Sequence, residues 1–182
     1  MERAEKRTVV AVARAADSLG MIRAGDWVEI ATQMVGHGAD DGPIVDLAIL
    51  SKPTSRWSTE LPVAAVCELL DIAEPAPEEA TLLVARALAD DLRARPEPAV
   101  AAPMVRMIAR LAAACDYDSA LANECSYAEE FLDCDCLPKG IGPGLELRLE
   151  GLPTLGLPDA LVRPLASTAR ASLAASQPHH GH

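Results

Sequence analysis

The chain has 182 residues, half of them hydrophobic and 3% aromatic, with a net charge of −11. That length holds one domain of ordinary size or two small ones, and the apolar content is ample for a core. So acidic a surface repels a phosphate backbone and no basic stripe opposes it, which argues against nucleic acid as a direct ligand.

With aromatics confined to Trp27, Trp57, Tyr117, Tyr127 and Phe131, the core must come from Ala, Leu, Val, Ile and Met. Ala and Leu favour helices, whereas strand-rich domains draw on aromatic and β-branched side chains. The apolar run Thr8–Ala13 is broken by Arg14 and Asp17, too soon for a secretory segment. No stretch reaches the roughly 18 apolar residues needed to span a bilayer. The expectation is a cytoplasmic protein with no membrane association, whose five cysteines are thiols or metal ligands.

In chain order, Glu2–Leu19 predicts a helix with Val9, Val12, Ala16 and Leu19 on one stripe, closed by Gly20 in the left-handed conformation. Asp26 and Glu29 read as a capping box that starts a second helix at Trp27, and Gly36-His37-Gly38 stops it. Pro43 fits the first turn of a short third helix to Leu50, and Pro62 that of a fourth over Glu60–Ile72, which leaves Trp57 in a loop. Glu74-Pro75-Ala76-Pro77 punctuates the chain and suggests subdomains 1–73 and 78–175. Glu78 and Glu79 complement the dipole of a long helix running to about Arg93.

A sixth helix opens at Val100 or Pro103, with Met104, Met107, Ile108, Leu111 and Cys115 on its stripe. A seventh buries Leu121, Cys125, Ala128 and Leu132. Residues 145–149 within Leu145-Glu146-Leu147-Arg148-Leu149-Glu150 alternate as a strand does. A helix from Pro158 to about Ala174, kinked or restarted at Pro164, precedes a tail at 176–182 expected to be disordered. The fold class is therefore mainly α, a compact bundle of seven or eight helices with one short strand near 145–149. The alternative is α+β, with Thr8–Ala13 or Ile44–Leu50 paired to that strand.

Residues 112–138 contain Asp116, Asp118, Glu124, Glu129, Glu130, Asp133 and Asp135 with no Lys or Arg, and four of the five cysteines. Cys115, Cys125, Cys134 and Cys136 match the ligand count of a tetrahedral zinc. Against that, the usual paired Cys-x2-Cys spacing is missing, Cys115 and Cys125 fall on apolar stripes, and nearby carboxylates disfavour a thiolate. Cys67 reads as core. His179, His180 and His182 offer imidazoles on a tail that binds metals adventitiously, and His37, ahead of Asp40 and Asp41, reads as a solvated loop histidine or a ligand or general base. Phosphate-binding, dinucleotide-binding, Gly-x-Ser-x-Gly and His-Glu-x-x-His motifs are all missing.

The segments Leu19-Gly20-Met21-Ile22-Arg23, Ala24-Gly25-Asp26-Trp27 and Pro43-Ile44-Val45-Asp46-Leu47-Ala48, followed by Glu68-Leu69-Leu70, resemble a pattern in uncharacterised helical proteins of high-GC actinobacteria. The resemblance covers about the first 72 residues and implies helices, with no function or site residue attached.

The expected function is an acidic, non-enzymatic protein-interaction module, either immunity- or antitoxin-like or a regulatory adaptor. Its partner would be a protein with a basic surface, and a homodimer is a further possibility. Glu124, Glu129, Glu130 and Asp133 are the expected docking residues, with Trp27 and Trp57 as aromatic anchors or, equally, as covers for the ends of the bundle. The alternative is a cysteine-ligated metal or redox protein built on Cys115, Cys125, Cys134 and Cys136.

Overall fold

The computed structural model describes residues 1–50, 57–94, 105–109 and 155–176, and these form seven helices and no strand. They are α1 (Arg3–Ser18), α2 (Ala24–Gly36), α3 (Gly42–Ala48), α4 (Trp57–Leu69), α5 (Pro77–Ala94), α6 (105–109) and α7 (Asp159–Ser176). The fold is mainly α. Thr8–Ala13 lies inside α1 and Ile44–Ala48 inside α3, so neither segment offers an edge for strand pairing. The expected strand at 145–149, the seventh helix of the sequence reading and the tail beyond residue 176 lie outside the described residues.

The described residues fall into two compact units. One comprises those of Met1–Val84 with Leu155–Leu165, the other those of 85–94, 105–109 and 166–176. In the first unit, α3 packs on both α2 and α4. Ile30 and Met34 of α2, Ile44 and Leu47 of α3, and Leu70 at the end of α4 are fully buried. In the second, Leu88, Leu92, Val105, Ile108, Ala166 and Ala169 are buried. Among the described α6 residues Val105, Ile108 and Ala109 are buried and Met107 is half-buried, so of the expected stripe Ile108 lies inside and Met107 at its edge. No described helix is long and apolar enough to cross a membrane.

Three helices end in the same way. After α1, Gly20 N–H donates to the Asp17 carbonyl at 2.9 Å and Met21 N–H to Ala16 at 2.8 Å, with Gly20 at φ +69°. After α2, Gly38 and Ala39 repeat the pattern on Val35 and Met34, with Gly38 at φ +88°. After α4, Asp71 and Ile72 donate to Glu68 and Cys67, and the left-handed residue is Asp71 at φ 54°. This is the Schellman closure, which satisfies terminal carbonyls at the cost of one positive φ. A glycine takes that conformation freely, whereas an L side chain is strained by about 1 kcal/mol. Gly20→Ala is therefore expected to destabilise by about 1 kcal/mol although open space surrounds its Cβ position. Asp71→Gly should gain about 0.5 kcal/mol. Urea denaturation of both variants checks the pair, and matching signs would sink the explanation.

α3 and α5 start as expected, with Pro43 and the pair Glu78 and Glu79 in their first turns, whereas α2 and α4 do not. Asp26 is not the N-cap of α2. Its carboxylate accepts the N–H of Arg23 at 2.6 Å, so the helix begins at Ala24, three residues early. Glu5 does the same for Glu2 at the head of α1, at 2.8 Å. α4 also begins three residues early, which puts Trp57 in its first turn and Pro62 inside the helix rather than at its start. α7 runs through Pro164 as one helix.

α1 is tied to the rest of the first unit by its cations. Arg3 donates to the Leu69 carbonyl at 3.0 Å and Arg7 to that of Asp71 at 3.4 Å, supplying positive charge to a C-terminus of α4 that has no basic residue in its own last turn. Lys6, only 8% exposed, reaches Asp41 at the head of α3 at 2.5 Å. In the same unit, Ala160 N–H in the first turn of α7 donates to the Gln33 side chain at 2.9 Å, satisfying a donor that the helix itself cannot.

Candidate functional site

α4 is apolar all around, with Ser58, Thr59, Glu60 and Glu68 as its polar residues. Its inner face, Thr59, Val63, Val66 and Cys67, is buried. Its outer face is not. Trp57 is 83% exposed and Leu61 80%. Trp57, Leu61, Ala64 and Glu68, at spacings of four, three and four, form one stripe along the helix, and all four are exposed. Globular helices direct their polar face to solvent. A tryptophan and a leucine one turn apart, both in water, mark a surface built for contact.

Beside this stripe lies a groove of about 640 Å³ within the first unit. Ala64 and Glu68 border both features. The remaining wall comes from α1 (Arg14, Asp17), the start of α2 (Ala24, Trp27), further α4 residues including Glu60 and Cys67, and the connection after α4 (Ile72, Glu74). Arg14 is the cation among these lining residues, and it is already engaged, by Asp17 at 3.3 Å and by Glu74 at 2.9 Å. Glu60 and Glu68 are exposed, and among the described residues neither makes an ion pair. The described lining is thus acidic, with Trp27 and Val63 among its apolar members.

Trp27 is 3% exposed, and its indole Nε1 is buried with no hydrogen-bond partner among the described residues. The two tryptophans paired as anchors by sequence therefore differ: Trp57 presents its ring to solvent, whereas Trp27 is a core side chain at the wall of the groove.

Cys67 is buried, and removal from water pushes its thiol pKa up, with Arg14 opposing and Asp17 adding to the rise. A protonated thiol in that position packs as a small hydrophobe, the role expected for it. His37 caps the end of α2, exposed, with Nδ1 at 2.8 Å from the Gln33 carbonyl. Among the described residues no cluster of His, Cys, Asp and Glu has the geometry of a metal site. Cys115, Cys125, Cys134 and Cys136, the docking carboxylates Glu124, Glu129, Glu130 and Asp133, and the terminal histidines lie outside the described residues. No family model matches the chain, and no curated protein or solved structure matches it.

Proposed function

We propose that the chain is an acidic protein-interaction module of the cytoplasm, an immunity- or antitoxin-like neutraliser or a regulatory adaptor, that docks its partner through the outer face of α4. The observation that supports this most directly is the exposure of Trp57 and Leu61 at 83% and 80% on one helix stripe. Burying an aromatic and an aliphatic side chain on association contributes about 2 kcal/mol each, and tryptophans dominate such contacts. By sign alone, Glu124, Glu129, Glu130 and Asp133 suit the same kind of partner, one with a basic surface.

Proteins encoded beside an adaptor or immunity protein are the first partners to purify with it. For the one that associates, Trp57→Ala together with Leu61→Ala is expected to weaken binding by at least about thirtyfold, measured by titration calorimetry. Both side chains stand in solvent, so the circular dichroism spectrum and melting temperature should hold. An affinity indifferent to the double substitution removes α4 as the docking face.

A further inference from the structure

We propose that the occupant of the α4 face is an amphipathic helix of a partner protein that carries two basic side chains about two turns apart beside an apolar stripe. This assignment rests on α4 being the docking surface, and it adds the chemistry of what docks there. Glu60 and Glu68 bracket Leu61 and Ala64 eight residues apart on α4, about 12 Å along the axis at 1.5 Å per residue. On an opposing helix the same distance separates positions seven or eight apart. Lys or Arg at those positions meets both carboxylates at once, while the apolar residues between them meet Leu61 and Ala64, and those one turn beyond Glu60 meet Trp57.

The charges select against other occupants. Among the described lining residues the carboxylates outnumber the one cation, Arg14, which Asp17 and Glu74 already hold, and that balance disfavours an anion. A second copy of this chain laid helix to helix on the stripe brings Glu60 and Glu68 against themselves, and like charges at an interface are costly. An anionic lipid surface meets the same carboxylates and is repelled. A helix with basic side chains at these two positions instead gains attraction at both carboxylates, and its rate of association depends on salt.

The probe is a set of three side-chain-stapled helical peptides with one common leucine stripe. The first carries two lysines two turns apart, the second two lysines one turn apart, and the third glutamates in place of the first peptide's lysines. Binding to the full chain is followed by fluorescence anisotropy across a salt series, for the native protein and for the Glu60→Gln/Glu68→Gln and Trp57→Ala/Leu61→Ala variants. The two-turn lysine peptide should bind at least about tenfold more tightly than either of the others. Glu60→Gln/Glu68→Gln should erase that preference and flatten the salt dependence, and Trp57→Ala/Leu61→Ala should weaken binding at every salt concentration.

Weakening by Trp57→Ala/Leu61→Ala, with no response to Glu60→Gln/Glu68→Gln or to lysine spacing, keeps α4 as the docking face and overturns the basic helix. A response to the glutamates alone reduces the effect to general attraction between opposite charges and overturns the seating on α4. Indifference to both variants overturns both proposals. Sedimentation of the native chain is the companion measurement: self-association that disappears in Trp57→Ala/Leu61→Ala makes a second copy the occupant and overturns the heterologous helix.

Discussion

Leu47→Ala is expected to lower the stability of the protein by about 3 kcal/mol, the middle of the range for deleting a buried leucine side chain. Leu47 is 1% exposed in α3, the short helix that packs on both α2 and α4. A helix of seven residues has no stability of its own and is held by what it buries. The truncation leaves a cavity where those elements meet, and relaxation around it is partial because Ile44 on the same helix is fully buried too. In a chain of this size the loss corresponds to a melting temperature lower by about 10 °C. Ile49, two residues further on and 72% exposed, is the control: Ile49→Ala should change stability by less than about 0.5 kcal/mol. Urea denaturation with an unchanged slope is the measurement. Equal losses for the two variants would show that α3 is not held through its buried face.

The mainly helical class was legible because it rests on bulk properties, abundant alanine and leucine and few aromatics. Helix ends were legible where glycine marks them. Gly20 and Gly38 announce the left-handed residue that a Schellman closure needs, and α1 and α2 end there. The equivalent end of α4 had no such mark, because Asp71 takes the left-handed conformation in place of glycine, and that helix reads as running on to Ile72. Starts were harder. An acidic residue at the head of a helix can serve as N-cap or reach back from the third position, and the two readings differ by three residues. Asp26 does the second. Pro62 misled in the same way. Proline is welcome in a first turn, but deeper in a helix it forgoes one hydrogen bond, and here the inward face of α4 carries the helix through it.

The site was legible only in part. Trp57 stood out as an aromatic in a chain poor in them. Leu61 did not, because α4 is apolar on every side and its periodicity gives no polar face to separate inside from outside. The groove could not be read from the chain at all. Arg14, Asp17, Trp27, Glu68 and Glu74 are spread over sixty residues and three helices, and their proximity is a product of tertiary packing. Trp27 shows the converse. As a residue type it suits an interface, yet its position on the inner side of α2, next to Ile30 and Ala31, buries it.

The pair formed by Lys6 and Asp41 has the second large effect. Lys6 is a charged residue in the buried face of α1, its side chain 10% exposed, and Asp41 opposite it is 27% exposed. Replacing Lys6 by Met keeps the length of the side chain and leaves the carboxylate half-shielded without its cation. Breaking a fully buried pair costs about 3–5 kcal/mol, and the residual solvent contact of Asp41 brings the expected loss to about 2 kcal/mol. Lys6→Met/Asp41→Asn should recover part of it, because a neutral amide tolerates the site better than an unpaired charge.

The loss also depends on pH in a definite direction. The hydrogen bond from Lys6 holds the Asp41 carboxyl below its usual 3.8, with the Lys6 and Arg3 charges assisting and burial opposing. A carboxylate with a depressed native pKa contributes its stability fully above the unfolded value and loses it as pH falls through the lowered one. The gap between the native protein and Lys6→Met should therefore stay constant from neutral pH down to about pH 5 and narrow below about 3.8, as Asp41 takes up a proton and the ammonium loses its partner. Urea denaturation of the two proteins at pH 7 and at pH 3 measures this. A gap of the same size at both values would mean that Lys6 acts through the packing of its methylene chain and not through Asp41.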